Sequence, residues 1–335
     1  MTEFTVISGA TVREIITRNR REIVREVRRT YLDHHAGKTV NPRSYFLRFP
    51  DKPDSRIIAL PAYLGNDHDV AGIKWVSSFP DNITQGIQRA SAVLVLNDYE
   101  TGYPFTLIEA SQINAARTAA SAVLAAEVLT GGRAPGRVAV VGAGVIGRSV
   151  LDFFAALDWE LDAVTIYDRV ADYASAMAGY ARSRLGYTAH VAGDLASALD
   201  SADLVVLVTN SGQPYILDLD AFAPDKIVLN ISLRDIGPHI IAASSNILDD
   251  VEHCLTAGTS PHLAEQDYGN RDFITGTLAQ VMLGEITISA GTPAIFSPFG
   301  LGVLDLAVGS LVHRMAVDSG QAITIPNFFA DTTRW

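Results

Sequence analysis

The stretch Arg137-Val-Ala-Val-Val-Gly142-Ala-Gly144-Val-Ile-Gly147 reads as a short buried strand, a tight glycine turn and a helix start. Gly142 permits the turn, Gly144 lets backbone approach a pyrophosphate, and Gly147 lets the helix pack closely on the strand. The helix opening at Val145 and Ile146 offers free N–H groups and a partial positive charge to phosphates. An apolar helix (Val150, Leu151, Phe154) and a second strand, Ala163-Val-Thr-Ile-Tyr167, lead to Asp168. That acid lies about 20 residues past the glycines, where a ribose hydroxyl is gripped. Together these residues predict a dinucleotide site.

From Arg137 onward, strands alternate with helices. Further strands are predicted at 187–191, 204–208, 227–230 and 247–248, the rhythm of a doubly wound parallel sheet. The segment before it differs. A short strand at Phe4–Ile7 precedes a helix opened by a capping box at Thr11-Val-Arg-Glu14, with an apolar stripe of Val12, Ile16, Ile23, Val27 and Tyr31 and a stop at Gly37. Extended runs at 44–49, 56–63, 70–77, 91–97 and 104–109 are spaced closely enough to imply antiparallel pairing. An alanine-rich helix, 115–129, reaches the linker Gly131-Gly-Arg-Ala-Pro-Gly136. After Pro298 an apolar helix, 301–315, is expected to return to the first domain. The expected class is α/β: a Rossmann-type domain, residues 119–301, inserted into an α+β domain formed by 1–118 and 302–335, with the active site in the cleft between them.

The chain has 335 residues, room for about two cored domains, and 48% apolar and 19% charged content suit a globular protein. A net charge of -11 argues against nucleic acid or an anionic membrane as main partner. The arginines between Arg13 and Arg29 alternate with Glu14, Glu22 and Glu26, the pattern of a solvated helix face. The single cysteine, Cys254, excludes an internal disulfide. No secretory signal is visible, and no apolar run reaches the roughly 18 residues of a membrane helix, so a cytoplasmic location is expected. The histidines show no metal-ligand spacing; His34, His35 and His313 read as surface or packing residues, and no metal is expected.

In a parallel sheet the ligand lies beyond the carboxyl ends of the strands. Thr209, Asn210 and Ser211, and Ser232 through Asp235, fall there. Thr209-Asn210-Ser-Gly-Gln is either a plain turn or part of the cofactor site. Asp168 favours NAD, since a carboxylate repels a 2'-phosphate, although Arg169 beside it could serve that phosphate. Asp235 could have its pKa raised in a partly dry cleft and move protons, or it could be a turn aspartate before Gly237-Pro238. Lys74, inside the apolar run Ala71-Gly-Ile-Lys74-Trp-Val, is costly to bury unless it meets an anion, and otherwise points to solvent. Arg117 is the one cation of a small-residue helix and suits a carboxylate. Arg89, in Gln88-Arg-Ala-Ser91, binds substrate or pairs with an acid.

Five ordered motifs carry a resemblance over nearly the whole chain: Gly72-Ile-Lys74-Trp-Val, Leu94-Val-Leu-Asn-Asp98-Tyr-Glu-Thr-Gly102-Tyr-Pro104, Ala116-Arg117-Thr-Ala-Ala, Val141-Gly-Ala-Gly-Val-Ile-Gly147 and Phe299-Gly300-Leu-Gly302-Val-Leu-Asp305. The chain resembles the ornithine cyclodeaminase and mu-crystallin family. Arg56-Ile-Ile-Ala-Leu-Pro61, Gln88-Arg-Ala-Ser91, Gln213-Pro-Tyr215 and Asn230-Ile-Ser232 are similar to the branch that cleaves N-(2-amino-2-carboxyethyl)-L-glutamate with NAD and water, giving L-2,3-diaminopropionate and 2-oxoglutarate. The resemblance implies Lys74 and Arg117 on substrate carboxylates, with Arg43 or Arg48 as a third and Arg89 as a further candidate. It implies Asp235 as acid/base and NAD on Gly142, Gly144, Val145, Ile146, Gly147, Asp168, Arg169, Thr209, Asn210, Ser232 and Gly300. It also implies a small amino-acid substrate and a homodimer paired through the first domain. Ser232-Leu-Arg-Asp235 departs from the glycine-containing loop of the ornithine cyclodeaminases, which argues against ornithine cyclisation.

Overall fold

A computed structural model describes residues 3–330. The chain divides into two compact units, one running up to Arg117 and resuming at Leu301, the other spanning Thr118–Gly300.

The first unit is a mixed sheet with helices. Its strands are β1 (Phe4–Ile7), β2 (Thr39–Val40), β3 (Tyr45–Phe49), β4 (Lys52–Leu64), β5 (Val70–Ser78), β6 (Ala90–Asp98) and β7 (Pro104–Glu109). The run from β3 to β7 pairs antiparallel strand by strand, as the close spacing predicts. β1 lies parallel to β7, and a last strand, Ile323–Ile325, closes that edge. Alternation in β4 to β6 sends Leu60, Leu94 and Leu96 to one face, where they are buried with Val12, Ile23, Val27 and Tyr31 and with the apolar residues of the helix Gly302–Asp318. The other face keeps large apolar side chains exposed: Tyr45 at 72% and Trp75 at 42%.

The first helix differs from its expected form. Ser8, not Thr11, is the N-cap, and its hydroxyl accepts from the Thr11 N–H. The predicted continuous helix is two, α1 (Gly9–Arg18) and α2 (Arg20–His35). Asn19 leaves helical geometry at φ -123, and its side-chain amide donates to the Ile15 carbonyl, a local bond that competes with the helical ladder. Helix α3 (Ser111–Thr130) then carries the chain into the second unit.

That unit is one all-parallel sheet of β8 (Gly136–Val141), β9 (Leu161–Tyr167), β10 (Ala189–Val191), β11 (Leu204–Leu207), β12 (Ile227–Asn230), β13 (Ser245–Leu248), β14 (Ile274–Thr277) and β15 (Ala294–Ser297). The order is β10-β9-β8-β11-β12-β15-β13-β14. Val138–Val141, all of β11 and all of β13 are buried, as expected for strands covered on both faces. Progression reverses at β8, so the switch point lies between β8 and β11. Parallel pairing also brings the carboxyl ends of these strands to one edge of the sheet, which is why segments far apart in sequence can build a site there.

Candidate active site

At the end of β8 the chain turns through Gly142, at φ 105, into helix α4 (Val145–Ala156). A side chain on Gly142 would meet the Val208 carbonyl at 2.9 Å, and one on Gly147 would meet the Gly142 carbonyl at 2.7 Å. Both glycines are therefore required by the protein's own packing. Gly144 is different: nothing lies within 4 Å of where its Cβ would stand. It is the N-cap of α4 and supplies no side-chain cap to the first helical N–H groups. Open space before an uncapped helix start fits a pyrophosphate.

Asp168, just past β9, joins this loop. Its Oδ2 accepts from the Ala143 N–H at 2.7 Å and its Oδ1 from the Val170 N–H at 2.9 Å. A carboxylate has about four acceptor sites, so capacity remains for ribose hydroxyls. Arg169 and Val145 are exposed, Ile146 is half-buried, and Asn210 is exposed past the end of β11. The Gly300 N–H is committed to Asp249 Oδ2 at 2.8 Å.

Thr209 and Asp235 meet at the ends of β11 and β12. Thr209 Oγ1 lies 2.8 Å from both carboxylate oxygens, and Tyr215 Oη donates to Oδ2 at 2.9 Å. Asp235 is fully buried, whereas Tyr215 is 37% exposed. Burial drives the Asp235 pKa above its ordinary value, and the hydroxyls of Ser232, Thr209 and Tyr215 pull it partly back. Tyr215 is itself held protonated by burial and by the Asp235 charge. The turn that aims Asp235 inward is strained: Leu233 has φ 72, and the Arg234 N–H donates to the Ser232 carbonyl across it. Ser260 anchors this turn, its N–H donating to the Leu233 carbonyl at 2.7 Å.

In the first unit Lys74 is 1% exposed. Its Nζ donates to Asp305 Oδ2 at 2.6 Å and to Asn114 Oδ1 at 2.8 Å. Arg117 donates from Nε to Asp305 Oδ1 at 3.2 Å and from Nη2 to Asn114 Oδ1 at 2.8 Å. Two cations thus share one buried carboxylate, leaving one net positive charge. Burial brings the Lys74 pKa down to about 8, with Asp305 opposing and Arg117 reinforcing the shift. Arg43, before β3, and Arg48, within it, are both exposed, and the Asp305 carboxylate is bonded to Lys74 and Arg117. Arg89 donates to Ser78 Oγ.

Asp305, Asn114 and Tyr215 are absent from the sequence-derived site. Asp305 had a readable signal, as the lone acid of an otherwise apolar helix start. Among the described residues no group of three or more His, Cys, Asp or Glu is placed to hold a metal, and no helix is long and apolar enough to cross a membrane.

A parallel sheet with an open glycine cradle, and a separate unit with a buried cation pair, define a dinucleotide-binding class of α/β protein. The profile of the ornithine cyclodeaminase/mu-crystallin family matches residues 10–320, and the chain belongs to that family. It is 28% identical over 276 residues to N-((2S)-2-amino-2-carboxyethyl)-L-glutamate dehydrogenase of Staphylococcus aureus, covering 81% of this chain and 82% of that protein. The structure of Thermococcus litoralis Delta(1)-pyrroline-2-carboxylate reductase with NADH and L-proline superposes with a TM-score of 0.86 at 20% identity, covering 96% of this chain and 99% of that one. An archaeal alanine dehydrogenase dimer with bound NAD gives 0.87 at 23% identity, covering 98% and 100%.

Proposed function

We propose that the protein is an NAD-dependent oxidoreductase acting on the CH–NH bond of an amino-acid conjugate, with N-(2-amino-2-carboxyethyl)-L-glutamate as substrate and L-2,3-diaminopropionate and 2-oxoglutarate as products. The observation that carries this reading is the Lys74–Asp305–Arg117 cluster, whose single excess positive charge is matched to one substrate carboxylate. Either Arg43 or Arg48 adds a third cation. NAD is held by the Gly142–Gly147 loop and Asp168, with Thr209, Asn210, Ser232 and Gly300 beside it, and supplies the hydride acceptor. NAD is favoured over NADP because Asp168, already turned into the loop, would face a 2'-phosphate.

Asp235 is the acid/base group, and its burial requires a go-between. A water adding to the oxidised carbon gives its proton to Tyr215 Oη as the Tyr215 proton passes to Asp235. The same path returns that proton to the departing amine nitrogen, then takes the hydroxyl proton of the collapsing carbinolamine and passes it to solvent, the one proton released alongside NADH.

The exposed sheet face supports a homodimer. Tyr45, Ala59, Trp75 and Val93 are successive Cα partners across four strands, which makes one continuous apolar row. The archaeal alanine dehydrogenase relative is described as a dimer.

The direct test is NADH formation by the purified protein with NAD and the conjugate, beside L-ornithine, L-alanine and L-proline, with products identified by mass spectrometry. NADH, 2-oxoglutarate and diaminopropionate in equal amounts are expected. Proline and ammonia from ornithine without net NADH would replace this reading with a cyclodeaminase.

A further inference from the structure

The sheet face that carries Lys74 changes character along its strands. Cα partners in paired strands share a face, and alternate residues along a strand stay on it. One row across this face is Leu60, Lys74 and Leu94, all buried. The next row is Phe46, Ile58, Val76 and Ala92, with Ile58 and Val76 half-buried. The row after it is Arg48, Arg56, Ser78 and Ala90.

Arg89 joins that third row through its bond to Ser78 Oγ at 2.8 Å. The Arg48 guanidinium leans back over the second row, 5.5 Å from the Phe46 ring centre. An apolar strip therefore lies between two cationic ends, Lys74 with Arg117 at one and Arg48, Arg56 and Arg89 at the other. Lys74 is neutralised in part by Asp305, whereas Arg89 is half-buried and its described partner is a neutral hydroxyl. Burial disfavours the Arg89 charge, and no acid among the described residues compensates. A guanidinium in that setting is a receptor for an anion.

Lys74 and Ser78 are four residues apart on β5, about 13 Å at roughly 3.3 Å per residue. An amino acid with one carboxylate can engage only one end of such a strip. A molecule with carboxylates on both sides of its nitrogen can engage both.

We propose that Arg89, with Arg48 and Arg56, forms a second carboxylate subsite, and that it selects N-substituted amino acids carrying a carboxylate on the far substituent. The inference rests on the reading of Lys74 and Arg117 as the first carboxylate site. It goes further in assigning a role to Arg56, in placing Arg48 at the distal end, and in making the distal carboxylate the discriminating feature.

The test is calorimetric titration of the NADH-loaded protein, which cannot oxidise either probe, with N-(2-carboxyethyl)-L-alanine and N-propyl-L-alanine. The two share carbon count and differ in the distal carboxylate. The carboxyethyl probe should bind about tenfold or more tighter. Arg89→Met and Arg56→Met should each reduce that advantage while changing the affinity for the propyl probe by less than about twofold; Lys74→Met should weaken both probes. Equal affinities in the natural protein, or an advantage that survives both arginine substitutions, would overturn the subsite and leave the first carboxylate site standing. Binding of neither probe would overturn both.

Discussion

Tyr215 and Asp235 are fastened to each other twice: the Tyr215 hydroxyl donates to the Asp235 carboxylate at 2.9 Å, and the Tyr215 main-chain N–H donates to the Asp235 carbonyl at 3.0 Å. The backbone bond fixes where the ring stands, so the hydroxyl reaches the carboxylate without a search. Removing the hydroxyl while keeping the ring isolates its chemical part. Tyr215→Phe should lower kcat by about 10²–10³-fold, and Asp235→Asn by at least as much, with NAD affinity nearly unchanged in both. Because burial raises the Asp235 pKa, the basic form is gained as pH rises through a value above the usual carboxylate range. The acid limb of kcat should lie there. Tyr215→Phe removes a donor to the charged form, so that limb should move to higher pH; a fall in kcat with an unmoved limb would leave Tyr215 only a packing role.

Lys74 makes the opposite prediction on the alkaline side. Its pKa of about 8 means that the cation is complete below that pH and lost above it. KM for a carboxylate substrate should therefore rise as pH passes 8, by up to about tenfold per unit, with kcat changing less. A KM flat between pH 7 and 9 would show that Lys74 does not hold the substrate. Lys74→Met should raise KM at every pH and also lower Tm, since Asp305 would keep Arg117 alone.

The loop glycines should separate into two kinds. Gly142→Ala is strained by its φ of 105 and by the Val208 carbonyl, and should cost about 1–3 kcal/mol of stability. Gly144 has an ordinary φ of -89 and open space, so Gly144→Val should leave Tm almost unchanged and weaken NAD binding by about tenfold or more. Thermal unfolding and NADH fluorescence titration measure the two effects apart. Unweakened NADH binding by Gly144→Val would place the pyrophosphate elsewhere.

The apolar row of Tyr45, Trp75 and Val93 should govern assembly. Trp75→Glu places a charge in its centre and should convert a dimer to a monomer in sedimentation velocity, with the secondary structure intact. A dimer that persists in this variant would put the interface on another surface.

Much of this was legible in the chain because one residue type answered one physical demand. The strand, glycine turn and helix of 137–156 were readable from period and glycine spacing, and the strands from β3 to β7 from alternation and turn residues. Lys74 and Arg117 announced themselves as charges in apolar surroundings. That Asp305 is the acid they share was not readable, because it is 231 positions from Lys74 and only the fold brings them together. The break at Asn19 was hidden by an apolar stripe that continues through it. The Tyr215 contact depends on a left-handed Leu233, a backbone state that a leucine does not advertise. β14, β15 and the last short strand are brief segments whose pairing is set by distant partners.

The interrupted first unit sets an order of assembly during synthesis. Lys74 leaves the ribosome long before Asp305, and at about 5–20 residues per second the delay is roughly 10–45 seconds. Through that interval the β5 lysine has no anion to bury against. Asp305 is thus the last member of the buried cluster to be synthesised, after Lys74, Asn114 and Arg117.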